Sequence, residues 1–183
     1  MSELKVYTDD NPSDARSWTD GDAIAKELGA IGVLFERWEA SEPLAKGASQ
    51  DEVLATYRKP VDRLMSRYGF QTADVVGLTP DHPNKAAMRG KFLNEHTHSE
   101  DEVRFFVGGK GLFYLHAGGR VFGVRCEQGD LISVPAGMTH WFDMGPEPEF
   151  QCIRLFTSPE GWVAAFTGSD IASRFPPLGE LSP

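Results

Sequence analysis

The residues of this sequence with the clearest chemical potential are two histidines and a glutamate in one short stretch, His96, His98 and Glu102. Side chains alternate between the two faces of a strand, so His96 and His98 point the same way, about 7 Å apart at the backbone. Glu102 opens the next β-rich run, from which its carboxylate can return to the same point. Imidazole and carboxylate ligands together suit a redox-capable metal ion that keeps coordination positions open.

A further histidine, His140, ends a second stretch that begins at Gly129 and is punctuated by proline and glycine. This pattern predicts a strand, a tight turn and a strand. A lone H-x-H pair on an acidic strand is usually only a polar surface. Here the spaced glutamate, the fourth ligand and the bordering glycines favour a metal site. Three histidines and one glutamate in an octahedral site leave two positions free.

Strand alternation also predicts which side chains surround the ion. The predicted members of this chamber are Phe92, Arg104, Phe106 and Phe142. A guanidinium stays protonated in an apolar pocket, so Arg104 would favour an anionic substrate. The alternative for Arg104 is an ion pair with a nearby carboxylate such as Glu100 or Asp101, and the two roles can coexist. For Phe92 and Phe142 the alternative is core packing.

Such a site predicts a particular chemistry. A substrate with adjacent enol and carbonyl oxygens could chelate the ion through the two free positions and lose protons. The ion would act as a Lewis acid, and Arg104 would add its charge. An electron-rich dianion reacts directly with dioxygen, so the metal need not change its oxidation state. The histidine-rich ligand set would therefore also accept nickel.

Length and composition are those of an ordinary globular protein. The chain has 183 residues, 40% of them hydrophobic and 25% charged, and a domain of this size buries roughly 70% of its unfolded surface. The formal net charge of −9 argues against a nucleic acid or an anionic membrane as partner, since both need a basic face.

Targeting and cysteine signals predict a cytoplasmic protein. The first seven residues have no apolar core, so we expect no secretory signal. The longest run of apolar residues and glycine, residues 29–35, is far shorter than the roughly 20 residues of a membrane helix. Cys126 and Cys152 show no C-x-x-C spacing, and we expect reduced, buried thiols; a bond between them is the alternative if their strands are neighbours.

Short β-branched or aromatic runs alternate with glycine-rich turns in the second half of the chain. The predicted strands cover residues 91–97, 102–107, 112–116, 120–125, 130–134, 139–143 and 149–156. Many short strands at even spacing predict a barrel or a sandwich. Residues 108–111 are typical of a β-turn rather than a phosphate loop, because no helix follows them.

The first half of the chain carries helix signals. Asp20 predicts a helix start closed by Gly29, and Ser49 to Glu52 forms a capping box before a helix that Pro60 should split. Another helix is expected over residues 81–89, strands over residues 5–8 and 32–38, and a loop over residues 9–18. We predict one domain over residues 1–183. Its N-terminal decoration covers about 1–89, the barrel core about 90–157 and the C-terminal tail 158–183.

The two histidine clusters resemble the two motifs of the cupin superfamily. The matching positions are Gly90, His96, His98, Glu102 and Gly109 in the first motif, and Gly129, Pro135, Gly137 and His140 in the second. Met144 stands where many cupins have asparagine. Residues 92–98, 100–106, 111–113 and 135–144 are more specifically similar to bacterial acireductone dioxygenases, within a likeness from about residue 72 to 171. The resemblance implies a mainly β, jelly-roll barrel with a few peripheral helices in the N-terminal third.

The same resemblance implies an activity. Acireductone dioxygenases use O2 to cleave the acireductone of methionine salvage, with one Fe2+ or Ni2+ per chain. The iron form yields formate and the keto-acid precursor of methionine, and the nickel form yields methylthiopropionate, formate and carbon monoxide. The bacterial type also implies a monomer.

Site roles follow from the resemblance position by position. The implied metal ligands are His96, His98, Glu102 and His140. Arg104 would help to generate the substrate dianion, and Trp162 would line the substrate side, with a core anchor as its alternative role. Glu95 and Asp101 match positions linked to metal incorporation and conformational relay. Strand alternation alone would place these two acids on the surface, and His82 and His116 are expected there as well.

Two other functions remain open. One is another metal cupin enzyme, either a different dioxygenase or a sugar isomerase, although a phenylalanine-rich chamber offers a sugar few hydrogen bonds. The other is a cupin that binds a small ligand without turning it over, but no helix-turn-helix segment accompanies the barrel. A purely structural role would leave buried polar ligands unpaired.

Overall fold

The computed structural model describes residues 1–158 and 160–180 and is mainly β. The strands are β1 (Glu3–Thr8), β2 (Asn11–Trp18), β3 (Leu34–Arg37), β4 (Thr72–Leu78), β5 (His96–Thr97), β6 (Glu102–Ala117), β7 (Arg120–Glu127), β8 (Asp130–Val134), β9 (Thr139–Asp143), β10 (Phe150–Phe156) and β11 (Ala165–Phe166). The helices are α1 (Gly21–Gly29), α2 (Gln50–Thr56), α3 (Arg58–Tyr68) and α4 (Lys85–Leu93), and a turn of 3-10 helix covers Ile171–Arg174.

Two antiparallel sheets share the long strand β6. One has the order β11-β5-β9-β6-β7-β1-β2, and the other has the order β4-β10-β6-β8-β3. The first half of β6 pairs with β8 and β10, whereas its second half pairs with β7 and β9. Residues 1–89, predicted as the N-terminal decoration, contribute the four strands β1 to β4 to the sheets as well as helices.

β6 crosses from one sheet to the other at a run of glycines. Gly109 has φ 66°, which favours glycine, and a Cβ there would collide with the backbone oxygen of Glu149. The pairing register with β10 shifts beside this run, as at a β-bulge. The predicted β-turn over residues 108–111 is therefore wrong, because the glycines bend one continuous strand.

Neighbouring side chains of β6 enter different cores because they alternate between faces. Phe106 and Phe113 pack into the cluster between the two sheets. Phe105 packs instead against Tyr57, in the cluster that α2 and α3 cover. Tyr114 joins a third cluster under the C-terminal segment and stacks on Trp141 with ring centroids 5.0 Å apart.

The helix signals of the sequence are confirmed in part. Asp20 accepts a hydrogen bond from Ala23 N, and the capping box at Ser49 is present. The break between α2 and α3 lies at Tyr57 rather than at Pro60, which occupies the first turn of α3, where proline is tolerated.

Two segments differ from their predicted structure. Residues 9–18 were expected to form a loop, but Asn11–Trp18 is strand β2, which pairs with β1 and ends the strand order of the described sheet. Its largely exposed polar side chains give no alternating pattern. The strand predicted over residues 91–97 is wrong in its first half, because α4 continues through Leu93 and β5 contains only His96 and Thr97.

Within the described part of the chain, no helix is long and apolar enough to cross a membrane. Cys126 and Cys152 are free thiols buried in the cluster between the sheets, as expected. Burial raises the pKa of both thiols, so they are poor nucleophiles near neutral pH.

Candidate metal centre

Strand pairing brings together the predicted ligands that are far apart in sequence. β5 pairs with β9 so that His96 lies opposite His140. His98 follows in the connection to β6, and Glu102 is the first residue of β6, where that strand belongs to the other sheet. The four side chains are buried and therefore meet between the two sheets.

The four side chains converge closely enough to share one ion. One ligand atom from each of His96, His98 and His140 lies within 4.8 Å of the others, and these are the only residues in the described chain that form such a histidine, cysteine and carboxylate group. Glu102 lies beside the group, with Oε2 2.8 Å from His140 Nε2 and 3.4 Å from His98 Nε2. Octahedral N/O coordination by such residues leaves positions for other ligands.

Each histidine of the cluster is oriented through its Nδ1 atom. The backbone carbonyl partners are Asn94 for His96 (2.7 Å), Val163 for His98 (3.0 Å) and Met138 for His140 (2.8 Å). A carbonyl oxygen only accepts, so Nδ1 carries the hydrogen in all three rings. In the neutral rings this tautomer directs the Nε2 lone pairs at the shared point beside Glu102 Oε2, which is the usual way in which a protein prepares histidine ligands.

Arg104 lies directly beside the ligand set. Its Nε donates to Glu102 Oε1 at 2.6 Å, whereas Nη1 is buried without a hydrogen-bond partner within the described chain. The guanidinium carbon lies 4.6 Å from the ring centroid of Phe142, 5.4 Å from that of Phe92 and 5.1 Å from that of Phe113. A fixed cation with a spare donor in an aromatic chamber favours an anionic ligand.

Arg104 does pair with a nearby carboxylate, as its alternative role expected, but the partner is Glu102 rather than Glu100 or Asp101. Glu100 accepts hydrogen bonds from Thr157 and Ser158 instead, and Asp101 accepts from Ala136 N at 2.9 Å. The latter contact joins the loop between the ligands to the turn between β8 and β9. Whether Asp101 acts in metal incorporation or conformational relay stays a prediction.

The electrostatic environment favours the ligand protonation states of His96 and Glu102 and opposes that of His98. Burial lowers the pKa of His96 to about 4, and His140 adds to this shift. Burial also lowers the pKa of His98, but its hydrogen bond to Glu102 and the charge of that carboxylate outweigh burial and raise the pKa. Burial opposes ionisation of Glu102, yet Arg104 and the histidines hold its pKa well below its usual range. Ionised carboxylate and neutral imidazole are the ligand forms.

The predicted chamber phenylalanines meet, although one arrives from an unexpected element. Phe106 and Phe142 have ring centroids 6.5 Å apart, and Phe92 packs edge-on to Phe142 at 6.1 Å. Phe92 reaches this position from the last turn of α4, so its expected placement on a strand face is wrong. The helix expected over residues 81–89 should have ended before Gly90, whereas α4 continues through Leu93.

Trp162 lies at the surface near the metal centre. Its side chain is 56% exposed, which excludes the alternative of a core anchor, and a role in the substrate wall stays a prediction. Two neighbours in this segment were missed. Val163 supplies the carbonyl that orients His98, and Phe166 lies 5.8 Å from the ring of His96. β11 has only two residues, too few for a periodic signal.

Glu95 and His116 form a buried contact that the sequence did not indicate. Glu95 accepts hydrogen bonds from His116 Nδ1 and from Thr167 Oγ1, both at 2.8 Å. Glu95 is buried and His116 half-buried, so their expected surface positions are wrong. The auxiliary role of Glu95 stays a prediction. The other histidine, His82, lies before α4 and accepts from Asn84 N.

Two antiparallel sheets that enclose a three-histidine, one-glutamate cluster define a metal-binding protein of the cupin fold. A family model described as the ARD/ARD' family matches residues 3–164. This chain belongs to that family, and the predicted mainly β cupin fold is confirmed.

Individual relatives match over nearly the whole chain. The acireductone dioxygenase of Marinobacter nauticus is 60% identical over 183 residues, covering 100% of this chain and 98% of the relative. That of Pseudomonas aeruginosa is 58% identical, covering 97% of this chain and 99% of the relative. The solved acireductone dioxygenase from Bacillus anthracis, with a cadmium ion in its active center, is 31% identical with a TM-score of 0.79. This match covers 91% of this chain and 98% of the solved chain.

Proposed function

We propose that this chain cleaves an acireductone with O2, as the names of its relatives describe for those proteins. The observation that carries the proposal is the position of Arg104. Its guanidinium touches the carboxylate of Glu102 and keeps a buried N–H group that has no partner among the described residues. A fixed cation beside a metal centre fits a substrate that becomes an anion before it reacts.

The residues present fit a divalent metal ion. Three Nε2 atoms whose rings are anchored through Nδ1 and one ionised carboxylate are the donor set that Fe2+ or Ni2+ accepts, and we assign His96, His98, Glu102 and His140 as the ligands, with one ion per chain. A bound ion would supply Lewis-acid stabilisation to the oxygens of a chelating enediol.

The side chains of the chamber bind and orient the substrate. Arg104 would donate from Nη1 to an anionic oxygen, and this attraction is much stronger in an apolar, water-poor chamber than in bulk water. The rings of Phe92, Phe106 and Phe142 would pack on the carbon skeleton and exclude water. Arg104 is therefore the catalytic residue in this proposal, and Trp162 at the surface is the outer part of the substrate wall.

The identity of the metal would select the products. Iron is proposed to give formate and the keto-acid precursor of methionine. Nickel is proposed to give methylthiopropionate, formate and carbon monoxide. We further propose a single-domain monomer in the cytoplasm, with the acireductone and O2 as its partners.

The alternatives are another metal cupin enzyme and a cupin that only binds a small ligand. The three phenylalanines around Arg104, which are Phe92, Phe113 and Phe142, disfavour a sugar isomerase, because a sugar needs several hydrogen-bonding side chains. The unpartnered Arg104 N–H suits a binding module equally well, so turnover is the property that separates the two functions.

The deciding experiment supplies an acireductone and O2 to protein loaded separately with iron and with nickel. We expect O2 consumption by both samples, keto acid from the iron form and carbon monoxide from the nickel form. Metal-free protein serves as the control. Binding of the acireductone without consumption of O2 in either form would leave the binding module as the correct function.

A further inference from the structure

Asp143 is a buried carboxylate that lies outside the ligand set and follows directly after Phe142. It is 1% exposed, and its two oxygens accept four hydrogen bonds. Arg89 Nε and Nη2 donate at 2.7 and 3.1 Å, and the backbone N–H groups of Gly145 and Leu178 donate at 2.8 Å. A bidentate arginine pair on a buried carboxylate is strong and fixed in direction.

The arginine of this pair belongs to α4, a helix with little stability of its own. Its N-cap residue Asn84 makes no side-chain cap bond, its first turn has no acidic residue, and none of its side chains is fully buried. Gly90 in its interior weakens it further. The position of α4 therefore depends on tertiary contacts, and α4 packs against β9.

The same helix carries one wall of the metal chamber. Arg89 and Phe92 are three residues apart, so they lie on neighbouring parts of one helix face. Arg89 binds Asp143 while Phe92 packs on Phe142, so two consecutive residues of β9 hold two positions of α4. Phe92 also lies 5.4 Å from the Arg104 guanidinium. Movement of α4 would thus open the chamber.

We propose that Arg89 and Asp143 are positioning residues that hold α4 over the metal centre, so that Phe92 closes the substrate pocket. The expected change in KM rests on the proposed function. The position of the helix can be measured without turnover. Among the described residues, the hydrogen bonds of this pair join Arg89 to Asp143 and Asp143 to the backbone of Gly145 and Leu178, and none reaches a ligand of the metal centre. Their effect passes through the placement of one aromatic ring.

The first experiment compares Arg89→Met with Lys85→Met in metal-loaded protein. Lys85 is a half-buried cation of the same helix that donates to Pro80 O and pairs with the exposed Glu147, both at 2.7 Å, and a pair with an exposed partner contributes little. We expect Arg89→Met to raise KM for the acireductone about tenfold, since charged hydrogen bonds to a buried group are the stronger class. In Arg89→Met, metal content and kcat should stay within about twofold of the wild-type values. Lys85→Met should leave both KM and kcat unchanged.

The second experiment is a double-mutant cycle with Phe92→Ala. If Arg89 acts through Phe92, Arg89→Met should raise KM in the wild-type background and have no further effect in the Phe92→Ala background. Arg89→Lys should give an intermediate KM, because lysine keeps the charge but not the bidentate geometry. Equal effects of Arg89→Met in both backgrounds would contradict the proposal, as would an unchanged KM.

Hydrogen exchange separates this inference from the proposed function. In Arg89→Met the amides of residues 85–93 should exchange about tenfold faster than in the wild type, with the amides of β9 unchanged. This readout needs no substrate. If the wild type turns over no acireductone, the proposed function fails while exchange still tests the placement of α4. Unchanged exchange in α4 would overturn the inference even in an active enzyme.

Discussion

Arg104 Nε and Glu102 Oε1 are joined by a 2.6 Å hydrogen bond between two buried side chains on the same face of β6. The guanidinium therefore neutralises the carboxylate that completes the ligand set, and its Nη1 has no hydrogen-bond partner in the part of the chain that the structure describes. One strand thus delivers both an anionic metal ligand and the cation that would receive an anionic substrate.

Replacement of Arg104 should separate metal binding from turnover. Arg104→Ala keeps all four ligands, so metal content should be retained, whereas kcat should fall by about a hundredfold to a thousandfold, as when a donor to a developing anion is removed. Arg120→Ala is the control, because that exposed arginine lies over Phe122 outside the site. Metal analysis and O2 uptake measure the two properties. Full turnover in Arg104→Ala would contradict its catalytic role.

Replacement of His96 should remove the metal. Loss of even an outer hydrogen-bond partner of a ligand weakens metal binding about tenfold to a hundredfold, so His96→Ala should weaken it by more than about a hundredfold. His82→Ala, which removes a histidine from the segment before α4, should bind one ion per chain with unchanged affinity. Equilibrium dialysis with nickel measures the metal affinity and the metal content of both variants. Full metal content in His96→Ala would refute the ligand assignment.

Metal affinity should fall as the pH drops through the raised pKa of His98. A metal ion needs neutral imidazole, and a proton competes for His98 at a higher pH than for an ordinary histidine. Affinity should be level above that pKa and fall by about tenfold per pH unit below it, for one displaced proton. Chelator competition across the pH range measures this. A level affinity down to the His96 pKa of about 4 would contradict it.

Gly111 should tolerate no side chain. A Cβ on Gly111 would collide with the ring of Phe142, and overpacking of this kind costs about 1–3 kcal/mol. Gly111→Ala should therefore lower the free energy of unfolding and, by displacing Phe142, reduce turnover. Gly29→Ala is the control, since nothing lies within 4 Å of its added Cβ. Urea denaturation compares the two variants, and equal stabilities would contradict the packing argument.

Residue type and spacing predicted much of the metal centre. The period of two in a strand placed Glu102, Arg104 and Phe106 on one face, and that pattern needs only local backbone geometry. The helix caps at Asp20 and Ser49 are equally local. The same rule failed for Phe92, because the chain before His96 is helical and reaches the chamber by a different route.

Long-range pairing could not be predicted in the same way. The sequence does not indicate that β5 pairs with β9, that His116 donates to Glu95, or that Arg89 binds Asp143. Strand β2 was missed because an exposed edge strand has no buried face to produce an alternating pattern. Residues 108–111 have the composition of a turn, but they form a bend within β6 because that strand continues to pair with β10 beside them.

The sequence by itself determined which imidazole and carboxylate groups serve as donors and the strand faces on which most of them lie. These properties depend on residue type and on neighbours a few residues away. Only the tertiary structure decided that two sheets meet at β6 and that the rings of His96, His98 and His140 face one point. Their orientation depends on carbonyl groups such as that of Val163, 65 residues from His98. Contacts of that separation form when the sheets pack, and spacing along the chain carries no record of them.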